Sequence, residues 1–147
     1  MAEKKSKRLE VVLNLAQMKE DVAARQLGEA LNALEQGKQQ LELLNDYRND
    51  NQEHIRQVGK GHATGSQLHR HQMFLQQIET AISQQGDRLN MLTQRIEVVK
   101  KNWQQLHYRR KAIGDHVQKI QRDEDRVVEK KNQMEMDDRP FNPRTSD

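Results

Sequence analysis

Cysteine is absent from this 147-residue chain, which excludes disulfides and thiolate metal sites and permits a reducing compartment. Proline occurs twice, at Pro140 and Pro143, so no residue before position 140 carries the ring that breaks a helix. Aromatics make up 3% and hydrophobic residues 33% of the chain, too little for the thick core of a globule. No run of about 18 apolar residues exists, which removes a membrane-spanning helix. The Lys-rich stretch Met1 to Glu10 lacks the apolar segment of a secretory signal. Together these absences read as a cytoplasmic protein without a conventional core.

Charge and register are what the chain does have. Charged residues reach 32%, with 25 basic against 22 acidic and a net charge of +3. The signs are intermixed, and Asp21 with Arg25, Glu97 with Lys101 and Asp115 with Lys119 set an acid one helical turn before a base, the favourable order. Most of this charge reads as solvated helix surface, with local basic clusters at Lys4 to Arg8, Lys100-Lys101 and Arg109 to Lys111.

Two apolar runs keep a strict 3,4 spacing. The first passes through Leu9, Leu13, Ala16, Glu20, Ala23, Leu27, Ala30, Leu34, Gly37, Leu41, Leu44, Arg48, Asn51, Ile55 and Val58. The second runs from Leu68 and His71 through Leu75, Ile78, Ile82, Gln85, Leu89, Leu92, Ile96, Val99, Trp103, Leu106, Arg110, Ile113, Val117, Ile120, Glu124, Val127 and Lys131 to Met134. Sustained 3,4 alternation keeps one stripe facing a single partner helix and is the seam of a left-handed coiled coil. A disordered chain would suit the low apolar content but has no reason to hold register.

Between the runs, Gly59, Gly61 and Gly65 fall within seven residues and predict the turn. The expected architecture is all-α, a long antiparallel two-helix coiled coil forming one hairpin over 1–136. Helix 1 spans about 6–58, the turn 59–65 and the longer helix 2 about 66–134, followed by a disordered tail at 137–147. Ser6 is the candidate N-cap of helix 1. Thr64 with Gln67 has capping-box spacing for helix 2, and Ser66 is the competing cap. If residue i pairs with about 124 minus i, helix 1 runs out of chain at its N-terminal start, opposite about Gln118 to Ile120. Val117, Ile120, Val127 and Met134 then extend an apolar stripe with no partner in the chain, either a docking site or a frayed end. Gly28, Gly37, Gly86 and Gly114 lie inside helices and mark soft points or close helix approach. Arg48, Asn51, His71 and Gln85 make the seam more polar near the turn, either to fix register or to open locally for a partner.

No pattern of catalytic residues stands out, and no cofactor or metal is expected. There is no phosphate-cradling glycine loop and no zinc-binding His pattern. His62, His69 and His71 cluster near the turn, but His69 and His71 point to different helix faces and read as incidental surface histidines. A slender hairpin has no enclosed pocket in which to shift the pKa of carboxylates such as Asp123, Glu124 and Asp125. Nucleic-acid binding would need a basic stripe with interleaved aromatics. Lys100, Lys101, Arg109, Arg110 and Lys111 near Trp103 and Tyr108 come nearest, yet Trp103 falls on the seam, so no nucleic acid is expected.

The segment Leu15-Ala16-Gln17-Met18-Lys19-Glu20-Asp21-Val22-Ala23-Ala24-Arg25-Gln26-Leu27, followed by Gln40-Leu41-Glu42-Leu43-Leu44-Asn45-Asp46-Tyr47-Arg48, resembles the first helix of the flagellar export protein FliJ family. Gln72-Met73-Phe74-Leu75-Gln76-Gln77-Ile78-Glu79-Thr80-Ala81-Ile82 is similar to the start of that family's second helix, and the likeness extends over about 8–135. The resemblance implies an antiparallel coiled coil similar to the central stalk of rotary ATP synthases. It also implies a noncatalytic part of the flagellar type III export apparatus, cytoplasmic and peripherally associated with the inner membrane at the flagellar base. The partners it implies are the export ATPase FliI, the export gate protein FlhA and the chaperones of late export substrates. By position the gate patch transfers to Gln40, Leu44, Tyr47, Phe74, Ile78 and Ala81, with Asn51 and Gln85 departing from the family's pattern at its edges. The ATPase ring would take the end carrying the termini, where Val117, Ile120, Val127 and Met134 are the candidates. A generic coiled-coil scaffold and the stalk of a virulence-type injectisome are the contending readings.

Overall fold

The computed structural model describes residues 4–61 and 64–138. These form two long helices, α1 at Lys5–Gly59 (55 residues) and α2 at Gly65–Asp137 (73 residues), an all-α hairpin with the longer helix second. The reason is local as well as tertiary: Leu, Gln, Glu, Lys and Arg, all good helix formers, are frequent in both segments, and neither contains a proline. The cluster of glycines sets the break between them. Gly59 closes α1, Lys60 and Gly61 form a turn in which their N–H groups bond back to the carbonyls of Gln57 and Val58, and Gly65 opens α2.

The start of α2 is a reciprocal capping box. The Gln67 N–H donates to Thr64 Oγ1 at 3.3 Å, and the Thr64 N–H donates to Gln67 Oε1 at 3.4 Å. Thr64 is therefore the cap, and Ser66 lies inside the helix. At the other end α2 continues to Asp137, three residues past the expected stop. The rest of the expected tail, 139–147, lies outside the described residues.

The chain divides into two compact units. The unit around the turn, Val22–Trp103, pairs α1 and α2 antiparallel. Here the Asn51 amide donates to the His71 carbonyl at 3.1 Å, and Gln85 Nε2 donates to the Gly37 carbonyl at 3.0 Å. Both bonds tie a seam side chain to the backbone of the opposite helix and pin the register at residue sums of 122, two below the expected 124. Gly37 is a point of close approach: a Cβ there would lie 2.6 Å from Leu89 Cδ2. His71 is not an incidental surface group, because it sits half-buried in the seam with its ring edge-on to His54, centroids 4.6 Å apart.

The other unit pairs the start of α1, up to Asp21, with α2 from Gln104 onward. Ser6 is not an N-cap here; it lies within the first turn of α1, buried. The Glu124 carboxylate takes the capping role from the opposite helix, accepting from the Ser6 N–H at 3.2 Å and the Ser6 hydroxyl at 2.6 Å. These bonds, with the charge of Lys4, hold the Glu124 pKa below the ordinary range against the opposing effect of burial, the Ser6 hydroxyl contributing most.

In both units the heptad seam is as the 3,4 pattern requires. Every seam position from Leu9 to Val58 and from Leu68 to Glu124 is buried or half-buried, whereas Val127, Lys131 and Met134 are exposed.

Candidate functional site

Two surfaces follow from the sequence reading, one in each unit. In the unit around the turn, Leu41 and Leu44 occupy alternate seam positions, as do Leu75 and Ile78 on α2. Gln40, Tyr47, Phe74 and Ala81 each immediately precede the same one of the two alternating seam positions. On antiparallel helices that places all four along one flank of the seam. Gln85 joins this flank by donating to Gln40 Oε1 at 3.3 Å, as well as to Gly37.

Tyr47 and Phe74 are each 52% exposed, and their residue sum of 121 sets them at nearly the same level of the pair. Ala81 is half-buried and Gln40 exposed. Leu44 is half-buried, and Ile78 at 6% exposure belongs to the core. The six residues transferred by resemblance thus separate into a flank that can meet a partner and a pair that supports it from the seam. Asn51 lies off this surface, buried and bonded to His71. Beneath Tyr47, the half-buried Arg48 has its Nε without a hydrogen-bond partner among the described residues.

The second surface differs from its expectation. Val117 is buried and Ile120 half-buried within the helix pair, so neither belongs to an unpartnered stripe. The physical reason is the direction of helical side chains, which lean toward their own N-terminus. Glu124 therefore reaches Ser6, and the pairing extends about one turn further along α2 than a fixed sum of 124 allows. The unpartnered stripe begins after Glu124, with Val127 67% and Met134 60% exposed.

Sequence reasoning placed Glu20 and Arg110 on the seam without joining them. Glu20 is buried, accepting from Arg110 Nε at 2.5 Å and pairing with His107 Nδ1 at 2.8 Å. Arg110, foremost, and His107 hold the Glu20 pKa below its ordinary value. A carboxylate so held is a weak base and is not a proton donor at neutral pH, so the cluster is suited to fixing the helix pair. Pairing over residue sums of 127 to 130 was the missed signal: three long side chains reach past the register that short ones obey. An open groove of about 450 Å³ is lined by Leu13, Gln17, Arg110, Gly114 and Val117, among others. Among the described residues no three His, Cys, Asp or Glu side chains are placed to hold a metal ion, and no helix is long and apolar enough to cross a membrane.

Comparison with known proteins adds a family. Residues 5–141 match the family model described as flagellar FliJ protein. The flagellar FliJ protein of Salmonella typhi is 33% identical over 105 residues, covering 71% of this chain and 71% of the relative. That of Escherichia coli strain K12 is 30% identical over 104 residues, again 71% of each. No solved structure matches.

Proposed function

This chain belongs to the flagellar FliJ protein family, and on that premise we propose that it is a noncatalytic component of the flagellar type III export apparatus. In this reading it inserts the end formed by its termini into the ring of the export ATPase FliI as a central stalk. The flank near its turn engages the gate protein FlhA, and the chain escorts chaperones of late substrates. It works in the cytoplasm, held peripherally at the inner membrane by the apparatus it serves.

The observation that carries the gate assignment is the pair Tyr47 and Phe74. Two large aromatics half-exposed on the same flank of a chain with 3% aromatics are the expected anchors of a protein contact, since rings of this size supply most of the energy at a small interface. Neither lies in the seam, so truncation leaves the helix pair intact. Replacing both with alanine is expected to weaken binding to the cytoplasmic domain of the cognate FlhA by about tenfold or more, with circular dichroism unchanged. An unaltered affinity would remove the patch from the gate interface.

A further inference from the structure

The start of α1 carries a second apolar line that the helix pair does not use. Val11, Leu15 and Met18 follow a 4,3 spacing like the seam, but on the opposite side of the helix, and they are 70%, 52% and 64% exposed. Val12, 45% exposed, lies beside them.

On a helix of 3.6 residues per turn, these four fall within an arc of about 120°. The other residues of 4–19 in that arc are Lys4, Arg8 and Lys19, with Lys5 and Lys7 at its two edges, all exposed. None of these cations is within ion-pair distance of a carboxylate among the described residues. The acids of this segment lie elsewhere, Glu10 bonded to Gln121 and Glu20 to Arg110. The outer face of α1 is thus apolar along its middle and cationic around it, with no acid and no amide or hydroxyl to read a partner's geometry.

We propose that this outer face of α1, Val11, Leu15 and Met18 ringed by Lys4, Arg8 and Lys19, docks on the surface of an anionic lipid bilayer. The inference does not rest on the gate or ATPase readings, and because the ring would enclose this end of the chain, bilayer docking belongs to the state outside the ring. A basic amphipathic face binds such a surface by placing its apolar residues among the acyl chains while its lysines meet the headgroups. Charge complementarity selects the lipid, and the lysine stems reach outward to the headgroup level. The face is convex, as a bilayer requires. A concavity beside this face, lined by Val12, Leu15 and Ile113, encloses about 40 Å³, too little to seat the large anchor side chain of a protein partner.

The test is flotation of the full-length protein with vesicles of phosphatidylcholine alone or of phosphatidylcholine and phosphatidylglycerol in equal parts. The expected result is flotation with the mixed vesicles only, weakening as salt is raised. Leu15→Asp with Met18→Asp, which replaces no seam residue, is expected to lower the partition coefficient by about tenfold or more with helicity retained by circular dichroism. Arg8→Glu with Lys19→Glu should do the same. No flotation with either vesicle would overturn the proposal and leave the face to an acidic protein. Loss with the charge variant but not with the apolar one would overturn it too, reducing the binding to nonspecific adsorption.

Discussion

At single positions, glycine separates two kinds of place in these helices. A Cβ at Gly28 meets nothing within 4 Å, whereas at Gly37 it meets Leu89. Gly28→Ala should therefore stabilise the protein by about 1 kcal/mol through helix propensity alone. Gly37→Ala gains the same propensity but must shift the Leu89 Cδ2 methyl, 2.6 Å from the added Cβ, so it should stabilise by less than Gly28→Ala. Equilibrium urea denaturation of the two variants checks this, and equal stabilisation would mean the helices do not approach closely at Gly37. Sequence alone offered both meanings for these glycines and could not assign them, because propensity is a local property and approach distance is not. Tyr47 and Phe74 were legible as off-seam aromatics from spacing alone. Glu20 was legible as a polar seam residue but not as the acceptor of two side chains from α2.

Between the helices, the polar seam makes stability depend on pH. Glu20 and Glu124 both have native pKa values lowered from 4.5, Glu20 by Arg110 and then His107, Glu124 by Ser6. A carboxyl whose folded value is depressed contributes stability above its unfolded value, and that contribution is lost as pH falls through the folded one. The melting temperature should thus stay level from neutral pH to about 5 and fall below about 4.5. Glu20→Gln should start lower at pH 7 and fall less steeply; parallel curves for the two proteins would show that the cluster is not the source. The seam itself was readable because a 3,4 pattern needs only that one helix face another. The pairing across it was less so, since a rule of fixed residue sums treats side chains as points. Arg110 and Glu124 span more than a turn, and it is they that close the end bearing the termini.

For the molecule as a whole, a low apolar content is reconciled with a folded state by lining one seam between the helices, while other apolar residues, Val11, Leu15, Tyr47 and Phe74 among them, stand exposed. Beyond Glu124, Val127 and Met134 continue the seam phase with nothing opposite among the described residues. Val127→Asp with Met134→Asp should leave the melting temperature within about 2 °C of the parent, as surface changes do. On the stalk reading the same variant should lose stimulation of the cognate FliI ATPase. Stimulation equal to that of the parent would move the ring contact elsewhere on the chain.

The bond from Ser6 to Glu124 joins residues 118 positions apart. At a ribosomal rate of about 5–20 residues per second, Ser6 waits roughly 6–24 s for its acceptor to be made. Contacts near the turn have no such delay, so zipping starts at the middle of the sequence and runs outward. During synthesis the oldest part of the chain is therefore the last to be finished. Until then it is a nascent helix with both its apolar faces open, in need of something to cover them.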